Sequence, residues 1–244
     1  MKHKLVIGWL YPDLMSTYGD RGNILVLKKR SEWRNIDVKI KRINVGFDHK
    51  QLVICDLLFM GGAQDTQQKI VSRDFSTGKI TLLKKLIEAG TPGLYICGAY
   101  QFLGQYYKEA DGTKIPGLGI LDLYTEHPGE GTERLIGNII INSPLGKLVG
   151  FENHGGRTHL ANKKFAFGKV IKGFGNNGED KTEGILYKNS IGTYLHGPVL
   201  PKNPKLADFL IQKALELKYG KVKLSKLDDN LENSAHQSAI QKFS

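Results

Sequence analysis

Apolar positions in the first hundred residues come in short runs whose period alternates between two and about 3.6. Residues 5–10 (Leu-Val-Ile-Gly-Trp-Leu) read as a buried strand. Residues 22–33 place Ile24, Leu25 and Leu27 on one side and the basic residues Lys28, Lys29 and Arg30 on the other, which predicts a helix. Residues 38–45 alternate apolar and polar, as a strand with one wetter face does. Residues 57–60, just before Gly61-Gly62, predict a short buried strand. Residues 80–89 have helical spacing and stop at Gly90, a normal residue for a helix C-terminus. Residues 93–96 predict a fourth strand and residues 100–107 a helix after it. Strand and helix alternating in this way predict an α/β fold with a mostly parallel central sheet. Right-handed crossovers then put the functional loops at the carboxyl ends of the strands.

The second half is richer in strand signals, at residues 136–141, 148–152 and 165–171. Residues 184–187 and 191–195 predict a hairpin across Lys188-Asn189-Ser190. Asn203-Pro204 supplies a cap and an N1 proline for a helix carrying Leu206, Phe209, Leu210, Leu215 and Leu217. Past Gly220 the chain turns polar. One α/β domain over residues 1–220 is therefore expected, with residues 221–244 as a loosely attached tail containing some helix.

Hydrophobic residues are 40% and charged residues 24%, ordinary globular usage that excludes disorder as the main state. The 29 glycines sit mostly at the ends of apolar runs, as tight turns require, and not in a linker. Two cysteines cannot staple 244 residues, so a reducing compartment is expected. Met1-Lys2-His3-Lys4 and the apolar run after it lack a small-residue cleavage site and read as a first strand rather than a signal peptide. No apolar stretch reaches the roughly 18 residues of a membrane helix. These features predict a cytoplasmic protein. The net charge of +11 suits an anionic partner or surface as well as a merely solvated one. Without zinc-finger spacing, RNP-like aromatics or a basic tail, nucleic acid is not expected as a partner.

Cys97 carries the strongest chemical signal. In Tyr95-Ile96-Cys97-Gly98-Ala99 a predicted strand runs into a cysteine, a glycine permits a sharp turn, and a helix begins. That pattern thrusts a nucleophile above the sheet edge, and a helix N-terminus is expected to lower the thiol pKa. Cys55 has no glycine turn and reads as core. A nucleophilic thiol needs a base. Two histidines compete: His196 in Tyr194-Leu195-His196-Gly197-Pro198 and His154 in Glu152-Asn153-His154-Gly155-Gly156. Spacing does not choose between them. Gly61-Gly62 ends a strand where backbone amides could face an oxyanion.

Together these segments resemble the class I glutamine amidotransferases. The segment Gly150-Phe151-Glu152-Asn153-His154-Gly155-Gly156-Arg157-Thr158 narrows the resemblance to the cobyric-acid-synthase-like branch. Gly19-Asp20-Arg21-Gly22-Asn23, Gly117-Leu118-Gly119-Ile120-Leu121-Asp122, Arg134-Leu135 and Glu183-Gly184-Ile185 are similar to the glutaminase subunits of lipid II isoglutaminyl synthases. The resemblance implies a flavodoxin-like three-layer sandwich. It implies Cys97 as the nucleophile that forms a γ-glutamyl thioester and His196 as general base and acid. It implies Gly62 and Gly98 amides as oxyanion donors, and Arg134 and Gln101 as glutamine-binding residues.

One departure stands out. Many class I amidotransferases carry a glutamate two residues after the histidine, and Pro198 stands there. The branch lacks that acid too. Glu152, Asp65 or a carboxylate of a partner subunit are then candidates to orient His196. The chain has no phosphate-binding loop to activate an acceptor, so the resemblance implies no cofactor here. It implies a MurT-type, ATP- and Mg-dependent ligase subunit as heterodimer partner, with glutamine as substrate and lipid II reached through the complex. Rival readings keep the fold: an amidotransferase for a corrinoid-like acceptor, a different cysteine hydrolase, or a non-catalytic partner-binding module.

Overall fold

The computed structural model describes residues 2–243. In chain order they form β1 (Lys4–Leu10), a 3-10 turn (Thr17–Gly19), α1 (Arg21–Glu32), β2 (Asp37–Ile43), α2 (Lys50–Val53), β3 (Leu57–Met60), α3 (Asp65–Asp74), α4 (Thr77–Glu88), β4 (Gly93–Ile96) and α5 (Gly98–Phe102). There follow β5 (Tyr106–Lys108), β6 (Lys114–Pro116), β7 (Leu123–Glu126), β8 (Leu135–Ser143), β9 (Gly146–His154) and β10 (Arg157–Leu160). A second 3-10 turn (Lys163–Phe165) leads to β11 (Gly168–Lys172), β12 (Thr182–Glu183), β13 (Ile185–Tyr187) and β14 (Ser190–Thr193). Helices α6 (Val199–Lys202), α7 (Pro204–Tyr219) and α8 (Asn230–Phe243) complete the described chain.

The central sheet has six strands in the order β13-β14-β4-β3-β1-β2. All neighbours are parallel except the β13–β14 hairpin. Every residue of β3 and β4 is buried, which is why these strands read as unbroken apolar runs and not as alternating ones. The chain leaves β1 to lay β2 on one side and returns to lay β3 on the other. The carboxyl ends of β1, β3, β4 and β14 therefore open on one edge, where strand order reverses and α/β sheets bind ligands. Two four-stranded sheets, β10-β7-β5-β6 and β12-β11-β8-β9, add to this core.

Three expectations change. The helix predicted over residues 100–107 stops at Phe102, and Tyr106 already belongs to β5. Packing decides this: a side chain at Gly104 would strike the backbone oxygen of Leu123 at 2.7 Å, so β7 lies directly on the turn. The basic group on α1 is only partly a solvated face: Lys29 is exposed, but Arg30 is not. Arg30 is buried, gripping Asp208 of α7 through Nε at 2.7 Å and Asp229 through Nη1 at 2.7 Å. Arg34 joins it, donating to Asp208 at 2.6 Å and to the Ser225 carbonyl at 2.8 Å.

These same bonds contradict a loosely attached tail. Residues beyond Gly220 are tied to α1, and α8 sets Ile240 against Ile140 of β8 and Val149 of β9. On α7 the buried stripe is Leu206, Ala207, Leu210, Ile211, Ala214 and Leu215, while Leu217 points outward. Among the described residues no helix is long and apolar enough to cross a membrane.

Candidate active site

Cys97 follows β4 with φ 50° and ψ −107°, a backbone region that residues with a Cβ rarely enter. Its amide donates to the Thr193 carbonyl of β14 at 2.8 Å, and its own carbonyl accepts from Gln101 at 2.9 Å. The nucleophile-elbow geometry expected from the sequence is thus present: strand, sharp turn, helix. Glycine suits the next position, because a Cβ at Gly98 would crowd Gln68 Nε2 at 2.8 Å and the Ala63 amide at 3.0 Å.

The thiol does not behave as the helix argument predicts. Burial pushes Cys97 up to about 12, and the neighbouring Asp20 carboxylate adds to the rise. Arg134 and the Gly98 amide pull the other way without reversing it. Helix α5 is a single turn, so its few aligned amides cannot outweigh desolvation.

His196 sits just past β14 and is fixed from the far side by β9. Its amide donates to the Phe151 carbonyl at 2.7 Å, and Phe151 returns a longer bond of 3.4 Å. The ring is fully buried, with Tyr18 packed edge-on at 5.0 Å. Neither ring nitrogen has a hydrogen-bond partner among the described residues. Burial pulls its pKa down to about 3, helped by His154 and Arg134, so the imidazole is neutral at physiological pH. Cys97 and His196 both lie just past strand ends and are both buried.

His154 lies at the end of β9 and lines the same cavity as Cys97. One nitrogen is taken: Nδ1 bonds the Gly156 carbonyl at 2.7 Å, which makes it the protonated nitrogen. The ring stacks on Tyr194 at 3.6 Å. Glu152, offered as an orienting acid for His196, instead accepts from the Phe174 and Gly175 amides at 2.7 and 2.9 Å. It stands 3.9 Å from His154 Nε2. Asp65 lines the cavity, and burial raises its pKa, but among the described residues it makes no bond to His196.

The cavity is about 520 Å³ and its wall includes Cys97, Gln101, Arg134, Asp65, Tyr107 and His154. Arg134 stands at the exposed rim, held by Asn153 through Nε to Oδ1 at 2.8 Å and Nη2 to the carbonyl at 3.0 Å. Gln101 is buried between Gln68, which donates to its Oε1 at 3.2 Å, and the Tyr194 hydroxyl, which accepts from its Nε2 at 3.1 Å. Gly62 lies beside His196, yet its amide is bonded to Asp20 Oδ2 at 2.6 Å. Burial raises Asp20 to about 7, with that amide pulling back. Gln68, Tyr18 and the role of Asp20 are not apparent from the sequence. Asp20 was visible as part of a polar motif after Gly19, whereas Gln68 carries no local signal.

Residues 6–204 match the CobB/CobQ-like glutamine amidotransferase domain. The chain is 46% identical over 243 residues to the lipid II isoglutaminyl synthase (glutamine-hydrolyzing) subunit GatD of Staphylococcus aureus, across 98% of this chain and 96% of that protein. The chain belongs to the GatD family of CobB/CobQ-like glutamine amidotransferases. The Streptococcus pneumoniae GatD subunit is 42% identical over 222 residues, across 89% of this chain and 83% of that protein. A probable cobyric acid synthase of Methanothermobacter thermautotrophicus is 30% identical, but the match spans only 39% of that longer protein. Among solved structures, the glutaminase domain of Trypanosoma brucei CTPS with bound acivicin has a TM-score of 0.53 at 10% identity, covering 91% of this chain and 98% of that one. PurLQS from Thermotoga maritima has a TM-score of 0.50 at 14% identity, covering 88% and 99%. These last likenesses concern the fold, which is that of the class I glutamine amidotransferases, as expected from the sequence.

Proposed function

We propose that this chain is the glutaminase subunit of a lipid II isoglutaminyl synthase. The observation that carries the reading is the near full-length identity to two GatD subunits, joined to a strained Cys97 at the head of the cavity. Arg134 binds the glutamine α-carboxylate by charge-assisted bonds and Gln101 helps place the amide. Neutral His196 takes the Cys97 proton as sulfur attacks the side-chain carbonyl carbon. The carbon–nitrogen bond then breaks, His196 returns the proton to the leaving nitrogen, and ammonia departs. Water next attacks the γ-glutamyl thioester, again giving a proton to His196, and glutamate leaves as the thiol re-forms. The Gly98 amide is one oxyanion donor and Gly62 the other.

A thiol at about 12 and an imidazole at about 3, with no hydrogen bond between them, do not form an ion pair at rest. Proton transfer therefore belongs to the step in which substrate fills the cavity, and the unpaired ring nitrogens of His196 leave room for an orienting carboxylate. We assign that carboxylate to the partner, a MurT-type ligase that carries ATP and Mg and receives the ammonia. The heterodimer acts in the cytoplasm, at the inner face of the membrane. It converts the α-carboxylate of the stem-peptide D-glutamate in lipid II to the amide, giving D-isoglutamine for peptidoglycan synthesis. The test is glutamate release from glutamine, and lipid II amidation, by wild type and Cys97→Ala with the ligase subunit. Both products vanish in the variant if the reading holds; full activity in Cys97→Ala refutes it.

A further inference from the structure

Gly62 is expected to donate to the oxyanion, yet its only amide hydrogen is already in use. The bond to Asp20 Oδ2, at 2.6 Å, is fully buried. The second carboxylate oxygen, Oδ1, has no partner among the described residues. A buried acceptor without a donor is costly, so Asp20 is held in place by its turn and not by full pairing. That turn lies flat on the Gly61-Gly62 loop: Thr17 donates to the Gly62 carbonyl at 3.2 Å, and Asp20 donates to the Thr17 carbonyl at 3.2 Å. Two glycines make the contact possible. A Cβ on Gly61 would meet the Met15 carbonyl at 2.5 Å and Asp20 Oδ2 at 2.6 Å, and one on Gly62 would strike Thr17 Oγ1. Tyr18, between Thr17 and Gly19, has φ 53° and is 51% exposed. Its ring packs on His196, and its hydroxyl accepts from Asn153 Nδ2 at 2.9 Å. One short segment thus touches the donor loop, the base and the rim of the cavity.

We propose that Asp20 is a latch whose carboxylate withholds the Gly62 amide from the reacting carbonyl in the isolated chain, so that full glutaminase activity requires Asp20 to release it. One N–H cannot serve a carboxylate and an oxyanion at once. The latch also opposes charge development at sulfur, since Asp20 faces Cys97 together with Asp65 from α3, while Arg134 favours the thiolate. Tyr107 of β5 and Tyr194 after β14 are the other titratable neighbours of that thiol. The exposed Tyr18 ring is the handle, because pushing it shifts the turn that ends in Asp20.

This inference rests on the glutaminase reading, and the experiment separates the two. The Gly62 amide is followed by NMR in the full-length chain, alongside glutamate release with and without the MurT-type subunit. In wild type the amide proton lies far downfield, exchanges slowly and follows the titration of Asp20. Asp20→Ala removes the acceptor, and Asp20→Asn keeps the shape while weakening the bond. Glutamine hydrolysis by the isolated chain rises about tenfold in Asp20→Ala, a part of what one oxyanion donor is worth. It rises less in Asp20→Asn, and stimulation by the partner shrinks in proportion. If Asp20→Ala does not fold, Asp20→Asn decides alone. An unmoved Gly62 resonance, or folded variants no faster than wild type, overturns the latch. No hydrolysis by wild type, variants and complex alike overturns the glutaminase reading and the latch with it.

Discussion

Glu183 accepts the hydroxyl hydrogen of Thr193 at 2.6 Å, three residues before His196. The same oxygen accepts the Tyr194 amide at 2.8 Å. The strand end that delivers His196 is therefore pinned by one fully buried carboxyl group.

Burial raises Glu183 to about 8, the bonds from Thr193 and Tyr194 only partly offsetting it. The folded state holds this proton more tightly than the unfolded chain does. Its stabilising effect is complete below the ordinary carboxylate pKa and is lost as pH rises through about 8. Glu183→Gln keeps an acceptor and cannot ionise, so its urea midpoint should fall less than that of wild type between pH 5 and pH 8 (about neutral range). Parallel midpoints across that range would count against the assignment.

Cys97 is held at φ 50° and ψ −107°, where glycine is comfortable and alanine is not. Cys97→Gly should be more stable than Cys97→Ala by about 1 kcal/mol, within the usual range for such strain. Thermal melts of the two variants compare them directly. In the wild type, alkylation of Cys97 by iodoacetamide should keep accelerating with pH well past the ordinary thiol range, because burial raises the thiol. A plateau near that ordinary range would show an unburied thiolate.

Arg134 is kept at the cavity rim by Asn153 and stays clear of the buried core. Arg134→Ala should raise the KM for glutamine by roughly 10- to 100-fold, as loss of a charge-assisted bond does. The melting temperature should barely change. Arg134→Lys restores charge without the fork and should recover only part of the loss. Steady-state kinetics with the complex check both.

Arg30 is 3% exposed and bonds two aspartates whose side chains are 26% and 21% exposed. Arg30→Ala leaves both carboxylates without their cation, though partly reachable by water. A loss of about 2–4 kcal/mol is expected, near the lower end for breaking a buried pair. Limited trypsin digestion should then cut first within residues 221–228. Unchanged stability with an intact tail would show that the clasp contributes nothing.

Strand positions and the Cys97 elbow were legible because both depend on residues adjacent in sequence. β3 and β4 are short apolar runs ended by Gly61 and Cys97-Gly98, and periodicity finds them. The choice between His154 and His196 was not legible. It depends on Phe151 pairing with His196 and on Gly156 occupying one nitrogen of His154. The thiol pKa differs from the expectation because helix α5 is one turn and not longer, while burial dominates and the distant Asp20 carboxylate adds repulsion. Arg30 looked like surface charge for the same reason: its two acceptors lie 178 and 199 residues away.

That last separation bears on how the protein is made. Arg30 leaves the ribosome about 10–40 s before Asp229 at ordinary synthesis rates, given the 199 residues between them. Until then α1 carries a guanidinium whose counter-charges on α7 and the tail do not yet exist. The first helix therefore cannot complete its final ion pairs until α7 and the tail have emerged, although the turn before it can already lie against the Gly61-Gly62 loop. The reactive site is likewise completed late, because its candidate base, His196, is made long after Cys97, so a half-made chain carries the thiol without the imidazole.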